Sequence, residues 1–136
     1  MLVDTDVLIW ALRGNLEAAA VLSQDRELCL SAVSYMELLK GARDKRELLA
    51  IRKFLREVGF AFLPVTEGIS QRAVVYMEEH VLTSGLDLAD ALIAATAVEH
   101  SLRVCTANDK RYGCIPGLVL SVFRPGKSGS EPTAPL

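Results

Sequence analysis

The chain has 136 residues, of which 51% are hydrophobic and 6% aromatic, with a formal net charge of −2 at pH 7. This length suits one domain, whose core must be built chiefly from Leu, Ala and Val. The charge argues against a generally basic nucleic-acid-binding protein, and the apolar runs are too short to span a membrane. We find no secretory signal pattern, and the odd cysteines Cys29, Cys105 and Cys114 indicate free thiols. We therefore expect a cytoplasmic protein.

Apolar runs alternate with amphipathic segments along most of the chain. In order, the patterns predict a strand at 1–3, a helix ending near Gly14, a helix at 16–23, a strand at 27–30, a helix from Ser34, a charged helix at 44–58, a strand at 60–63, helices at 70–83 and 88–101, and strands at 103–106 and 118–122. This alternation predicts an α/β fold, a single domain over residues 1–123 with a small parallel sheet flanked by helices on both faces. Residues 124–136, rich in Pro, Gly and Ser, are predicted to be a disordered tail.

Acidic residues follow two of the predicted strands. Asp4 and Asp6 come directly after the first strand, and Asp109 lies three residues beyond Thr106, at the end of the fourth. The carboxyl ends of parallel strands meet at one edge of a sheet, where ligands bind in such folds. Burying these carboxylates beside apolar residues is costly unless hydrogen bonds, a cation or a metal compensate.

Two further acids lie at the starts of predicted helices that face the same edge. Ser34 and Glu37 have the spacing of a capping box, so Glu37 also has a purely structural interpretation. Asp87 could cap the apolar helix that follows, with Asp90 in its first turn near the positive end of the helix dipole. Capping accounts for one member of the Asp87–Asp90 pair better than for both.

Several carboxylates arriving at one edge repel each other unless a cation joins them. Oxygen ligands without His or Cys at metal-ligand spacing favour a hard ion such as Mg²⁺ or Mn²⁺. Such an ion lowers the pKa of a bound water and neutralises charge on a phosphoryl oxygen. The pattern therefore predicts metal-dependent chemistry on a phosphodiester.

A basic stretch begins just after Glu37. Residues 40–56 contain seven basic and two acidic residues, a local charge of +5. This stretch could bind the phosphates of a phosphodiester backbone, with Lys40, Arg43 and Arg46 as the candidate contacts. Taken alone, it is equally typical of a solvated helix face.

Four blocks of the sequence resemble, in order and spacing, the signature blocks of PIN-domain ribonucleases. They are MLVDTDVLIWALRG, LSAVSYMELLKGA, DLADALIAATA and RVCTANDKRYGCIPGL, and they span about residues 1–123. The chain looks most like the VapC toxins of toxin–antitoxin pairs. The resemblance implies a metal-dependent endoribonuclease that commonly dimerises and is held inactive by a small antitoxin, whose tail often inserts a basic side chain among the acids.

The resemblance also implies roles for individual residues. The three family acids fall on Asp4, Glu37 and Asp90, with Asp4 and Asp90 as the metal ligands. Supporting polar positions fall on Thr5, Asp6, Thr106 and Asn108, where Asp6 stands at a position often occupied by Asn. Many relatives have an acid just before the aromatic residue of the last block, but this chain has Arg111 before Tyr112. The fourth acid is therefore either Asp109 or absent.

Three other functions remain open at this level. A PIN nuclease could act in RNA processing without an antitoxin. Asp4-Thr5-Asp6 also has the D-x-D spacing of haloacid-dehalogenase-type phosphatases, although these need a downstream Lys and a late acidic pair. A receiver-like signalling domain also binds Mg²⁺ in an acidic pocket, but it requires an Asp after the third strand, where this chain has Pro64-Val65-Thr66.

Overall fold

The computed structural model describes residues 1–24 and 27–126. Its elements are β1 (Leu2–Val3), α1 (Thr5–Leu12), α2 (Leu16–Gln24), β2 (Cys29–Ser31), α3 (Ala32–Gly41), α4 (Lys45–Val58), β3 (Ala61–Leu63), α5 (Glu67–Ser84), α6 (Leu88–Glu99), β4 (Val104–Thr106), a 3₁₀ turn (Asp109–Tyr112) and β5 (Leu120–Val122). Every predicted helix and strand is present. The 3₁₀ turn was not predicted.

The five strands form one parallel sheet in the order β3-β2-β1-β4-β5. Leu2 of β1 lies between Cys29 of β2 and Val104 of β4, so the shortest strand is also the central one. The chain first builds outward from β1 to β3 and then returns to place β4 on the other side of β1. In sheets of this kind a crevice opens at the carboxyl ends of the strands where the order reverses. Here that point lies between β1 and β4.

Helices cover both faces of the sheet, and alternate residues of β1 enter different cores. Val3 packs with α1–α4 residues, among them Leu8 and Ile51, in one buried cluster. Leu2 packs with α5 and α6 residues, among them Ile69 and Ile93, in the other. Successive side chains of a strand point to opposite faces, so a two-residue strand serves both cores. The predicted α/β fold with a flanked parallel sheet is therefore confirmed.

Helix caps explain where most helices begin. Asp44 accepts the Glu47 N–H and caps α4. Asp87 accepts the Ala89 N–H and caps α6, as the sequence predicted. The predicted capping box at Ser34 is wrong. Ser31 is the cap of α3, and Ser34 lies buried inside the helix with a hydroxyl that has no hydrogen-bond partner in the described part of the chain.

Three further observations concern the cysteines, the length of the helices and the predicted tail. All three cysteines, which lie in the described part of the chain, are free thiols. None of the described helices is long and apolar enough to cross a membrane. Of the predicted tail, residues 124–126 have no regular secondary structure, and 127–136 lie outside the described residues.

Candidate functional site

The predicted acids gather at the carboxyl ends of β1 and β4. Asp4 follows β1 directly, and its backbone N–H donates to the Cys105 carbonyl of β4 at 2.9 Å. This bond extends the β1–β4 pairing and brings Asp4 beside Thr106, the last residue of β4. The candidate site therefore lies in the crevice that the strand order creates.

Asp4 is fully buried, and donors surround its carboxylate. Oδ1 accepts the Thr5 N–H at 2.8 Å, which makes Asp4 the cap of α1. Oδ2 lies 2.9 Å from the Thr106 hydroxyl, 2.8 Å from the Tyr112 hydroxyl and 2.5 Å from Nη2 of Arg111. Burial, followed by the charge of Asp4, raises the pKa of Tyr112 above its ordinary value of 10, so that the hydroxyl remains a donor. These contacts hold Asp4 in one orientation.

Asp6 and Asp90 complete the buried acidic group. Asp6 Oδ2 accepts the Ala107 N–H at 3.1 Å and lies 3.3 Å from the Thr106 hydroxyl. Burial, followed by the charge of Asp4, raises the pKa of Asp6 from 3.8 to about 6. Asp90, in the first turn of α6, is 5% exposed. Burial raises its pKa from 3.8 to about 6 as well, and although Arg111 opposes this shift, the charge of Asp4 adds to it.

Arg111 connects these three acids. Its Nη2 lies 2.5 Å from Asp4 Oδ2 and 3.0 Å from Asp6 Oδ2, and its Nη1 lies 3.3 Å from Asp90 Oδ1. The guanidinium enters from the 3₁₀ turn and also lies 5.6 Å from the centre of the Tyr112 ring. The chain's own cation thus occupies the pocket into which the resemblance places a basic side chain of an antitoxin. We call Asp4, Asp6, Asp90 and Arg111 the acidic pocket.

Glu37 lies at the open side of this pocket. Its side chain is exposed, and Oε1 accepts the Thr5 hydroxyl at 2.7 Å. Thr5 therefore contacts two of the predicted acids, because its N–H donates to Asp4 and its hydroxyl donates to Glu37. Ser31 caps α3, so Glu37 is not part of a capping box. Helix capping therefore does not explain why Glu37 lies next to Thr5.

Asp109 is not brought to the acidic pocket. Its carboxylate is 41% exposed and accepts Nη2 of Arg124 at 3.0 Å, and this hydrogen bond lowers the pKa of Asp109. Asn108 also has an exposed side chain, although its backbone N–H donates to the Thr106 hydroxyl at 3.1 Å. The structure thus joins Asp4, Asp6 and Asp90 through Arg111 and places Glu37 on Thr5, while Asp109 lies outside this group.

The pocket's chemistry fits a divalent metal, but its present arrangement does not form a metal cage. Its donors are carboxylate and hydroxyl oxygens, the ligands that Mg²⁺ and Mn²⁺ prefer. Within residues 1–24 and 27–126, however, no three His, Cys, Asp or Glu side chains converge closely enough to hold an ion. The space between Asp4 and Asp90 is bridged by the Arg111 guanidinium instead.

The predicted basic surface borders the site. Lys40 lies three residues beyond Glu37 in α3, and residues this far apart are neighbours on a helix surface. Arg43 and Arg46 are both exposed at the start of α4, where Arg43 pairs with Glu47 at 2.9 Å. The opposite face of α4 packs Ile51 and Leu55 into the core. All three cations are therefore exposed to solvent, and Lys40 lies beside Glu37 on the surface of α3.

Sequence reasoning missed two members of the site. Arg111 was noted only because an acid is common at its position, and Tyr112 only as an aromatic landmark. The available signal was a basic residue placed after a strand whose carboxyl edge already held several acids, since such acids need a cation.

Comparisons with known proteins agree with this fold. The profile of the PIN domain family matches residues 1–116. Ribonuclease VapC19 of Mycobacterium tuberculosis is 33% identical, over 86% of this chain and 95% of that protein. A toxin–antitoxin complex from Klebsiella pneumoniae has a chain with a TM-score of 0.75 and 31% identity, covering 90% of this chain and 98% of that one. DNA-bound VapBC from Salmonella typhimurium gives a TM-score of 0.76 at 19% identity, covering 89% and 96%, which supports the fold alone.

Proposed function

The chain belongs to the PIN domain family, and from this premise we propose that it is a metal-dependent endoribonuclease and the toxin of a toxin–antitoxin pair. The observation that carries the proposal is the convergence of Asp4, Glu37 and Asp90 at one crevice. A phosphatase of the D-x-D type is disfavoured, because Asp4 is fully buried under donors rather than free to attack a phosphate.

The reaction is the hydrolysis of an RNA phosphodiester. Water supplies the oxygen that bonds to phosphorus, the bond to the leaving ribose oxygen breaks, and that oxygen takes up a proton. Asp4 and Asp90 would hold Mg²⁺ or Mn²⁺, which lowers the pKa of water and neutralises charge on the phosphoryl group. Glu37, whose carboxylate accepts the Thr5 hydroxyl and is open to solvent, would accept the proton of the attacking water.

The other residues orient or bind. Thr106 and Tyr112 hold the Asp4 carboxylate by hydrogen bonds, so its orientation costs no reordering during the reaction. Lys40 and the exposed Arg43 and Arg46 would bind phosphates of the RNA backbone away from the cleaved bond. Binding of this kind adds affinity and carries little sequence information.

Cleavage by purified protein tests the enzymatic proposal. Asp4→Asn and Asp90→Asn should each abolish Mg²⁺- or Mn²⁺-dependent cleavage of RNA while the far-UV circular dichroism spectrum stays native. Glu57→Gln is the control, because it removes one exposed carboxylate of α4, outside the pocket. Full activity in excess chelator, or in Asp90→Asn, would contradict the metal mechanism.

A small antitoxin is the proposed partner. The similar solved structures include a toxin–antitoxin complex, and the acidic pocket offers several carboxylates with which a basic side chain of such a partner could pair. A basic residue in the partner's tail would pair with Asp4, Glu37 or Asp90 only by taking the place of Arg111 or joining it. Neutralising Asp4 or Asp90 should therefore weaken the complex.

Co-expression tests this partner. The protein is expressed in its native host with and without the adjacent small reading frame, and the product is purified by affinity chromatography. We expect growth arrest only without the partner, and a tight complex with it. Equal growth in both cases, without a complex, would favour a PIN nuclease that acts in RNA processing.

Self-association is part of the same proposal. Leu82 is 96% exposed, and the exposed Val74, Val75 and Val81 lie on the same helix, α5. Exposed apolar patches on a folded domain mark interaction sites. We expect a homodimer or a toxin–antitoxin hetero-oligomer, and light scattering of the purified protein measures its mass directly.

A further inference from the structure

The acidic pocket contains a cation that the proposed reaction does not use. Arg111 reaches it from the 3₁₀ turn after β4, and its two terminal nitrogens contact Asp4, Asp6 and Asp90. Two of these contacts join residues 107 and 105 positions apart, so they depend wholly on the tertiary fold. Without this cation, the buried Asp4 and Asp90 and the half-buried Asp6 would have only hydrogen bonds to offset their repulsion.

The contact on Asp4 involves the oxygen that faces the pocket. Oδ1 points to the N-terminus of α1 and accepts the Thr5 N–H, whereas Oδ2 receives donors from Thr106, Tyr112 and Arg111. A carboxylate oxygen has about two lone-pair sites for hydrogen bonds. Three donor groups lie within hydrogen-bond distance of Oδ2, so both sites are already in use. An ion can therefore use Oδ2 only if at least one donor leaves.

Arg111 is the donor best able to leave. The Tyr112 hydroxyl belongs to a ring that is 1% exposed in the core, and Thr106 is fully buried at the end of β4. The Arg111 side chain, in contrast, is 33% exposed at the rim of the pocket. Its Nε is buried without a hydrogen-bond partner among residues 1–24 and 27–126, which costs free energy when the guanidinium is in the pocket. The guanidinium thus neutralises the acids, although its own Nε is not hydrogen-bonded within the described residues.

We infer that Arg111 is a built-in counter-ion that competes with the divalent cation for Asp4 and Asp90. This inference rests on the proposed metal dependence and adds a residue of the same chain that limits metal binding. When the pocket lacks metal, Arg111 neutralises the buried acids and stabilises the fold. The same contacts weaken the binding of metal, because the ion pairs must be broken first. The residue that stands where many relatives carry an acid therefore opposes metal loading.

Direct measurement of metal binding tests the inference without relying on cleavage. Mn²⁺ is titrated into wild-type protein, Arg111→Gln and Arg111→Lys, and free Mn²⁺ is followed by electron paramagnetic resonance. We expect the dissociation constant of Arg111→Gln to fall about tenfold or more, since close charge pairs couple by at least the 1.4 kcal/mol that corresponds to a factor of about ten. Arg111→Lys keeps the positive charge but loses the forked guanidinium, so its dissociation constant should lie between those of wild type and Arg111→Gln.

Arg124→Gln is the matched control. It removes one positive charge from an arginine that pairs with Asp109 outside the pocket, so its dissociation constant should stay within about twofold of wild type. Mn²⁺ binding that is equal or weaker in Arg111→Gln would overturn the inference. If Mn²⁺ binds to none of these proteins, the proposed metal dependence fails together with the inference. If all bind equally and cleavage still requires Mn²⁺, the inference alone fails.

A second measurement uses only the wild-type protein and covers the case in which Arg111→Gln does not fold. Nuclear magnetic resonance of arginine guanidinium groups follows Arg111 during a Mg²⁺ titration, and its signal is assigned by its loss in Arg111→Lys. We expect the signal to change in step with Mg²⁺ binding while the signal of Arg124 stays constant. Mg²⁺ binding with an unchanged Arg111 signal would overturn competition.

Discussion

Replacing Asp90 with asparagine should stabilise the metal-free protein while abolishing its proposed activity. Burial raises the pKa of Asp90 from 3.8 to about 6, despite the ion pair with Arg111. A carboxyl group with a higher pKa in the folded state favours folding when it is protonated. Its contribution is therefore fully present below pH 3.8, declines as the pH rises, and is lost above about pH 6. An asparagine side chain does not ionise, so the variant escapes this loss.

The size of the effect follows from the shift. Each pKa unit corresponds to about 1.36 kcal/mol, so the rise to about 6 sets an upper limit of about 3 kcal/mol. Arg111 loses one of three carboxylate partners in the variant, and this reduces the gain. At pH 7.5 we expect the free energy of unfolding of Asp90→Asn to exceed that of wild type by about 1–3 kcal/mol. Near pH 4 the two proteins should be about equally stable.

Urea denaturation in excess chelator measures this difference at pH 4, 6 and 7.5. Glu57→Gln, which removes an exposed carboxylate, should change stability by less than about 0.5 kcal/mol at each pH. The reasoning is refuted if Asp90→Asn is less stable than wild type at pH 7.5, or if the difference does not grow with pH. A stabilised but inactive variant would identify Asp90 as a residue whose energetic cost serves function.

Three further predictions follow from the same contacts. Asp109→Asn should leave the metal concentration for half-maximal cleavage within about twofold of wild type, because Arg124 holds this acid outside the pocket; a large rise would restore Asp109 as a fourth acid. Reversing Arg43 and Arg46 to Glu should weaken RNA binding and flatten the slope of log K against log salt by roughly 0.7–0.9 per lost phosphate contact, without moving the cleavage site; an unchanged slope would leave only a solvated helix face. Tyr112→Phe should lower the free energy of unfolding by about 1.5–3 kcal/mol, because it removes a buried donor to a carboxylate; calorimetry with no loss of stability would contradict that bond.

Much of the fold and part of the site could be read from local patterns. Apolar runs alternating with amphipathic segments indicated the number and order of the elements, because burial on both faces of a parallel sheet requires such strands. The helices capped by Asp44 and Asp87 began where predicted, since a cap is a local hydrogen bond within three residues. Asp4 was placed at the carboxyl edge because it directly follows a strand.

Local patterns failed where distant residues compete for the same role. Ser31 and Ser34 both suit a helix cap, and the end of β2 decided for Ser31, since the helix starts as soon as the strand stops pairing. Asp109 follows β4 closely in sequence, but the 3₁₀ turn directs it to Arg124 of the segment after β5. Sequence spacing does not report which way so short a turn faces.

The sequence by itself therefore determined that several acids meet at one edge of a parallel sheet, because strand ends and helix starts are local features. Only the tertiary structure decided which cation pairs with these acids. Tyr112 packs into the core and thereby aims Arg111 at Asp4, across 107 residues of chain. A contact of that range depends on the packing of the whole domain, and no local pattern encodes it.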